Sequence, residues 1–313
     1  MKPLRCAVIG VGYLGKFHAQ KYAKIAGCEL VAVVDSRQDV ADAVAQPLGC
    51  RAVTDYRELL GQVDAVSIVV PTQAHYAVCI EFLRAGVHVL VEKPMTTTLE
   101  QADELIALAQ EKGLVLAVGH LERFNPAALA LEPLLGDPRF IDSSRLAPFK
   151  PRATDVSVLL DLMIHDVDLI LSLVDSEVES VDCSGARVLT QDIDIANARI
   201  RFANGCVANV TASRVSAKSE RKMRVFQSQA CHSLDFQART LTSYRGATDP
   251  MATPEQAIER NEQSFGEADP LFAEIVDFVD SIRNHRAPKV TGVSGRRALA
   301  AVQRITEATR LIS

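Results

Sequence analysis

The chain has 313 residues, with 34 Lys and Arg against 39 Asp and Glu, and a formal net charge of −5. Because 48% of the residues are hydrophobic, the chain can build packed cores, which excludes a disordered or fibrous protein. The negative balance also excludes a protein that binds nucleic acid through an overall basic charge. At roughly 150 residues per domain, this length predicts two domains.

The seven cysteines are scattered, odd in number and form no Cys-x-x-Cys pair. This usage argues against a disulfide framework or a structural zinc site and favours a reducing compartment. A lysine and a glycine within the first ten residues leave no room for the apolar core of a secretory signal. The longest apolar stretch, 156–174, contains Asp161, His165, Asp166 and Asp168. These polar residues exclude it as a membrane-spanning helix. We therefore expect a cytoplasmic protein without a metal, a nucleic acid or a membrane as partner.

The first 120 residues alternate short apolar runs with helical segments. The runs are continuous and rich in Val and Ile, which is typical of strands buried on both faces of a parallel sheet. These predicted strands are 4–9, 29–34, 65–70, 87–91 and 114–118. Helices are predicted at 14–26, 74–85 and 99–112, the last with the capping-box spacing of Thr98 and Gln101. The alternation predicts a dinucleotide-binding α/β domain over residues 1–120, a doubly wound parallel sheet of the Rossmann type.

After residue 120 the predicted strands are longer and alternate apolar with polar residues, as antiparallel strands with one wet face do. They are 177–187, 192–202, 206–213, 221–227, 232–236 and 240–244, and Asn204-Gly205 predicts a hairpin. The polar segment 246–266 predicts a mobile loop. Helices are predicted at 271–284, after an Asp269 cap, and at 294–312. Residues 121–313 are thus expected to form an α+β domain for substrate binding and oligomerisation. It would have a large open, mostly antiparallel sheet, and its last helix would pack back on the first domain.

Gly10, Gly12 and Gly15 form a GxGxxG pattern between the first predicted strand and the first predicted helix. In that context the glycines permit a tight turn, a close approach of the backbone to a pyrophosphate, and close packing of helix on strand. Asp35, at the end of the second strand, would accept hydrogen bonds from a ribose 2′-OH and repel a 2′-phosphate, which favours NAD over NADP. Arg37 could weaken that preference. The alternative is that the glycines serve only a tight turn.

The rest of the dinucleotide should lie along the carboxyl ends of later strands. Val70-Pro71-Thr72 and Glu92-Lys93-Pro94 end two such strands, although Thr72 could instead cap the next helix. The residues expected to contact NAD are Gly10, Gly12, Tyr13, Leu14, Gly15, Asp35, Ser36, Arg37, Pro71, Thr72, His75, Glu92 and Lys93.

The apolar segment 156–174 carries one polar stripe. On an α-helix, Asp161, His165 and Asp168 lie at i, i+4 and i+7 and share a face, whereas Asp166 points elsewhere. A lone histidine is usually a surface group, but a stripe in so apolar a helix must face a partner or a cavity. His165 is therefore a candidate general acid–base. Lys93, at a strand end, could stabilise a developing alkoxide, the alternative being a solvated surface lysine.

GVGYLG at residues 10–15 is followed in order by VVPT, VEKP, GHLERFNP and DLMIHDVD, the last at residues 161–168. Together these motifs resemble the Gfo/Idh/MocA family of NAD(P)-dependent sugar and polyol dehydrogenases. The resemblance implies that Lys93 and His165 are catalytic, with Asp161 orienting the histidine. It implies oxidation of an alcohol: hydride passes to NAD, His165 takes the hydroxyl proton, and Lys93 polarises the forming carbonyl. Either Lys93 or His165 could be the base.

Residues 119–127, 145–149 and 159–174 look like one branch of that family. The branch oxidises the C3 hydroxyl of UDP-N-acetylglucosamine to a ketone, which a partner aminotransferase converts to a 3-amino sugar for lipid A or related glycans. Arginines suit a diphosphate or a carboxylate, the alternative being ordinary surface charge. The residues expected to bind this substrate are His120, Arg123, Asn125, Arg145, Arg152 and His165.

Two other functions are compatible with the sequence. One is an NAD-dependent dehydrogenase for another sugar, an inositol or a sugar acid. The other is a regulatory protein that senses NAD without turnover, although a sensor would not need the acid–base groups Lys93, Asp161 and His165. An open sheet would expose a broad face, so we also expect a homodimer or homotetramer.

Overall fold

The computed structural model describes residues 2–150, 157–246 and 258–312. Their contacts divide the chain into two compact units, residues up to 121 with 269–296, and residues 122–268 with 297 onward. Residues 269–296, which the sequence pattern groups with the second domain, thus lie in the first unit. None of the helices in the described ranges is both long and apolar enough to span a membrane.

The first unit is built on a six-stranded parallel sheet in the order β3-β2-β1-β4-β5-β6. Its strands are β1 (Leu4–Ile9), β2 (Cys28–Val34), β3 (Arg51–Val53), β4 (Ala65–Ile68), β5 (His88–Glu92) and β6 (Leu116–Gly119). Its helices are α1 (Gly15–Tyr22), α2 (Gln38–Leu48), α3 (Thr72–Arg84), α4 (Leu99–Glu111) and, from the later segment, α7 (Pro270–Arg283). This arrangement confirms the predicted doubly wound parallel sheet.

Helix boundaries in the first unit follow local capping chemistry. The Thr98 hydroxyl accepts the backbone N–H of Gln101 at 3.3 Å and so begins α4, as predicted. The Gln101 side-chain oxygen accepts the Thr97 hydroxyl at 2.9 Å instead of the backbone N–H of Thr98. Asp269 caps α7 through the N–H of Phe272, also as predicted. Thr72 is not a cap, because α3 begins at Thr72 itself after Pro71.

The second unit is built on a nine-stranded mixed sheet in the order β14-β13-β12-β11-β7-β10-β9-β8-β15. Its strands are β7 (Pro138–Leu146), β8 (Val178–Ala186), β9 (Ile195–Phe202), β10 (Val207–Ser213), β11 (Glu220–Gln227), β12 (Ala230–Asp235), β13 (Thr240–Gly246), β14 (Ile258–Ser264) and β15 (Thr309–Leu311). Its helices are α5 (Pro126–Leu131), α6 (Ile164–Leu173) and the end of α8 (Gly292–Ala308). Among the described strands of this sheet, only β7–β10 and β8–β15 pair in parallel, which confirms the mostly antiparallel sheet.

The Asn204-Gly205 hairpin between β9 and β10 is confirmed, with Gly205 at φ +86°. Three other details differ from the prediction. The last helix ends at Ala308 and is followed by strand β15, and part of the predicted loop 246–266 is strand β14. The predicted helix over 156–174 is a π-helical turn at Leu159–Met163 followed by α6.

Candidate active site

The strand order of the first unit reverses direction between β1 and β4, so the carboxyl ends of these strands flank a crevice. Ligands of doubly wound sheets bind at this kind of switch point. A groove of about 800 Å³ lies here. Its lining includes the predicted cofactor residues Gly10, Gly12, Asp35, Ser36 and Pro71 and also Thr54, Asp55, Tyr56 and Arg57. The second set was not predicted, because nothing in their sequence marks them except a position just after β3.

The three glycines before α1 have different structural reasons. Gly10 has φ +85°, and a Cβ there would lie 2.7 Å from the carbonyl oxygen of Val69. A Cβ on Gly15 would lie 1.8 Å from the carbonyl oxygen of Gly10. The turn therefore requires glycine at both positions. A Cβ on Gly12, in contrast, would meet no atom within 4 Å. The turn therefore leaves open space in front of the α1 N-terminus, where the backbone can cradle a pyrophosphate.

Asp35, just after β2, is held in place by two backbone N–H groups. Its carboxylate accepts the N–H of Val11 at 3.2 Å and the N–H of Arg37 at 3.1 Å. The Arg37 guanidinium is exposed and pairs with Asp39. Asp35 thus presents a fixed negative charge to the groove, while Arg37 has a carboxylate partner of its own. The arrangement fits a ribose 2′-OH better than a 2′-phosphate.

His75 connects the two loops that were predicted to line the nicotinamide. It is 1% exposed, and its ring nitrogens lie 2.8 Å from the carbonyl oxygen of Val70 and 2.9 Å from that of Pro94. Burial lowers its pKa, against the opposing effect of these two hydrogen bonds. These contacts give His75 a structural task, holding the end of β4 to the loop after β5.

Lys93 directly follows β5, whose last residue is Glu92. The Glu92 carboxylate lies 3.1 Å from Nε2 of His18 on α1, and it accepts the backbone N–H of Lys93 at 3.3 Å. Sequence reasoning missed His18, although it is adjacent to Ala19 and four residues before Tyr22, which share the buried face of α1. Glu92, predicted to contact the cofactor, is thus engaged in an internal hydrogen bond with His18.

In the second unit, Asp161 lies in the π-helical turn and His165 in the first turn of α6. Both are half-buried, whereas Met163, Ile164 and Val167 are fully buried. Asp161 and His165 are therefore partly accessible positions in a mostly buried segment. Asp168 is buried and lies 3.8 Å from Nη1 of Arg123. In a π-helical turn the side chains are spaced by a different angle than in an α-helix. The prediction that residues 161–168 form one continuous α-helical face was therefore wrong before residue 164.

Asp166, next to His165, belongs to a buried ion network. It accepts the Ser143 hydroxyl at 2.8 Å and Nε of Arg145 at 2.6 Å. Nη1 of Arg145 donates to Glu122 at 2.9 Å. Burial lowers the pKa of Arg145, but the two carboxylates outweigh burial and raise it. Arg145, predicted to bind the substrate, thus has two internal acids as partners.

The other predicted substrate residues lie in different surroundings. His120 is 2% exposed and follows β6 in the first unit. Asn125 caps α5 through the N–H of Ala127, and its amide nitrogen donates to the carbonyl oxygen of Phe236 at 3.1 Å. Arg152 lies outside the described residues. Asn125 therefore has a structural explanation, and His120 lies where the sequence predicted, at the end of a strand.

A doubly wound sheet, a glycine-rich turn at its switch point and an acid after β2 define a nicotinamide dinucleotide-binding oxidoreductase fold. Comparison with known proteins agrees. The model of an oxidoreductase family with an NAD-binding Rossmann fold, Gfo/Idh/MocA, matches residues 4–120, and the Gfo/Idh/MocA C-terminal domain matches residues 132–232. The chain belongs to the Gfo/Idh/MocA family and is an NAD-dependent oxidoreductase.

Several relatives cover nearly the whole chain, including two dehydrogenases. UDP-N-acetylglucosamine 3-dehydrogenase of Acidithiobacillus ferrooxidans is 45% identical over 304 residues, 96% of each protein. The scyllo-inositol 2-dehydrogenase (NAD(+)) of Bacillus subtilis is 30% identical over 314 residues, 93% of this chain and 89% of that protein. A solved structure of the Acidithiobacillus ferrooxidans enzyme matches with a TM-score of 0.92 at 44% identity, covering 99% of this chain and 98% of that one.

Proposed function

We propose that the protein oxidises the C3 hydroxyl of UDP-N-acetylglucosamine to the 3-keto sugar with NAD. The observation that carries this proposal is the 45% identity to UDP-N-acetylglucosamine 3-dehydrogenase over 96% of both chains. The relative with scyllo-inositol in its name is less similar, at 30% identity.

NAD, when bound, accepts the hydride from the sugar carbon. In the proposed chemistry, His165 takes the proton of the C3 hydroxyl and Asp161 orients the imidazole. The Lys93 ammonium stabilises negative charge that develops on the oxygen. The partial exposure of Asp161 and His165 on a buried segment supports these roles, as does the place of Lys93 at the carboxyl end of β5.

The remaining site residues divide into direct and indirect roles. We propose that Tyr13, Leu14 and Thr72 extend the cofactor groove, and that His120, Arg123 and Arg152 contact the nucleotide sugar. Arg145 and Asn125 would act indirectly, because their polar atoms hold Glu122, Asp166 and the start of α5. The guanidinium groups of Arg123 and Arg152 suit the diphosphate, which a guanidinium can bind with two parallel hydrogen bonds.

We further propose that the enzyme works in the cytoplasm as a homodimer or homotetramer. Both NAD and a nucleotide sugar would have to be available in the compartment where it acts. Its product is a ketone, the substrate class of an aminotransferase, so an enzyme of that class is the expected next step toward a 3-amino sugar of the lipid A type.

The test combines the protein with UDP-N-acetylglucosamine and NAD, following NADH by absorbance and the sugar by mass spectrometry. We expect a product two hydrogens lighter, and reduction with borodeuteride should place deuterium at C3. Parallel reactions contain scyllo-inositol or free N-acetylglucosamine. Oxidation of scyllo-inositol alone would instead favour an inositol dehydrogenase, and NAD binding without turnover of any of these would favour a sensor.

A further inference from the structure

We propose that His18 and Glu92 are a positioning pair for Lys93, with the hydrogen bond from His18 limiting the pull of Glu92 on the Lys93 ammonium. The inference rests on the proposed function only in the role that it gives to Lys93. Neither His18 nor Glu92 would touch the substrate.

The pair lies inside the first unit, where α1 meets β5. The His18 side chain is 1% exposed and that of Glu92 is 13% exposed, with 3.1 Å between Nε2 and Oε1. His18 is three residues after Gly15, so the helix that begins at the glycine-rich turn also carries the partner of Glu92. The helix that follows the cofactor turn and the strand that ends just before Lys93 are therefore connected through one hydrogen bond.

Gly119 makes room for this carboxylate. A Cβ at residue 119, the end of β6, would lie 2.8 Å from Oε1 of Glu92. The carboxylate thus occupies a space bounded by α1, β5 and β6. Its other oxygen accepts the backbone N–H of Lys93 at 3.3 Å. Glu92 consequently fixes the backbone of the residue whose side chain is proposed to act on the substrate.

The charges of the three residues are linked. Burial raises the pKa of Glu92, but the hydrogen bond and charge of His18, together with the attraction of Lys93, outweigh burial and lower it. Glu92 is therefore an anion that attracts two neighbouring groups. If His18 is removed, Glu92 must rely more on Lys93, because a buried carboxylate without compensation is costly. The ammonium would then be held by Glu92 and stabilised in its charged form.

The test measures the charge of Lys93 without turnover. The full-length protein is labelled with limiting acetic anhydride across a pH series, and labelling of Lys93 is quantified by peptide mass spectrometry. In His18→Leu we expect the labelling midpoint to rise by about one pH unit, since an opposite charge nearby favours the ammonium. In Glu92→Gln, which removes that charge and keeps the shape, the midpoint should fall below that of the wild type.

Two further variants separate positioning from simple packing. His18→Gln keeps an N–H donor toward Glu92 and should show a smaller rise than His18→Leu. The double variant His18→Leu/Glu92→Gln should not show the raised Lys93 labelling midpoint of His18→Leu, because the carboxylate that causes the rise is absent. His232→Gln is the control, since His232 is equally buried but bonds Ser243 in the second unit, and its Lys93 midpoint should equal that of the wild type.

On the substrate that the enzyme turns over, His18→Leu should lower kcat by about tenfold with the Kd for NAD within about twofold, since misplacing a positioned group slows the chemical step. Equal labelling midpoints in the wild type, His18→Gln and Glu92→Gln would overturn the proposal, even if His18→Leu did not fold. The labelling result does not depend on which sugar is oxidised. It therefore stands apart from success or failure with UDP-N-acetylglucosamine.

Discussion

The two units place a buried acid beside each proposed catalytic residue, but they neutralise it differently. In the first unit Glu92 precedes Lys93 and is paired with His18. In the second unit Asp166 follows His165 and is paired with Arg145.

The difference concerns how many elements the donor side chain can hold together. The His18 ring donates from one nitrogen to one acid, whereas the Arg145 guanidinium on β7 donates from two nitrogens to Asp166 on α6 and to Glu122. An arginine cannot be deprotonated in a protein, and it offers several donors in a fixed plane. The Arg145 network is thus a rigid connection of three segments, whereas the His18–Glu92 pair is a single bond that adjusts the charge at Lys93.

The largest effect should come from breaking the arginine network. Arg145→Met leaves Asp166 and Glu122 buried without their common cation, and we expect a loss of about 3–5 kcal/mol in the free energy of unfolding. Denaturant titration measures it. The matched control is Arg224→Met, whose exposed partner is Asp142 and which should cost less than about 1 kcal/mol. Equal losses in both variants would remove the distinction between the two kinds of pair.

The second effect concerns the catalytic residues themselves, one in each unit. Lys93→Ala and His165→Ala should each lower kcat by about 10² or more, because each removes a group that acts on the hydroxyl proton or the developing charge. The Kd for NAD should change little, which fluorescence titration can check. The pH profile of kcat should lose the ionisation of the base in only one variant, and so decide which residue is the base. Near-wild-type turnover in both would contradict the assigned roles.

The third effect compares these ion pairs with an acid held mainly by backbone amides. Burial raises the pKa of Asp194, but the N–H groups of Val188, Leu189 and Thr190, with the Thr190 hydroxyl, outweigh it and lower the pKa to about 2. Since the ordinary value is about 3.9, Asp194 should contribute about 2 kcal/mol of stability above pH ~4, which is lost as the pH falls toward 2. Asp194→Asn should be less stable at neutral pH, with a weaker loss in acid. An unchanged acid dependence of unfolding would refute this.

The smallest effect concerns Asp35, a partly exposed acid whose carboxylate accepts two backbone N–H groups. Asp35→Ala should reduce the preference for NAD over NADP by about tenfold, the value of one charge-assisted hydrogen bond. Comparison of kcat/KM for the two cofactors measures it. Arg37→Ala is the companion variant, and a larger change there than in Asp35→Ala would show that Arg37 reads the ribose.

The parallel sheet was predictable because both of its faces are covered, so its strands contain continuous apolar runs such as residues 6–9 of β1. The GxGxxG turn was predictable because sterics allow only glycine at Gly10 and Gly15. The strand β7 was missed, since its buried positions include Ser143 and Arg145, which are satisfied by Asp166 and not by apolar neighbours. When buried positions of a strand are polar residues paired with a charged partner, the sequence shows no alternation of apolar and polar residues by which to predict the strand.

Edge elements were missed for the opposite reason. Every residue of β14 is exposed, so its sequence IERNEQS resembles a loop, and backbone pairing with β13 alone makes it a strand. In the candidate site, motifs predicted Lys93 and His165, but not their supporting groups. His18 and Glu122 gain their partners from residues distant in sequence, Glu92 and Arg145, and such pairs have no local signature.

The first unit is completed by a late segment of the chain, and this bears on its synthesis. Ile275, Phe278 and Val279 of α7 are buried with Val8, Val33 and Leu90 in one core. During translation, residues 122–268 therefore leave the ribosome before that core has all its parts. The second unit can begin to fold while the cofactor-binding half still exposes apolar surface, so a nascent chain stalled before residue 269 should be the species that most needs a chaperone.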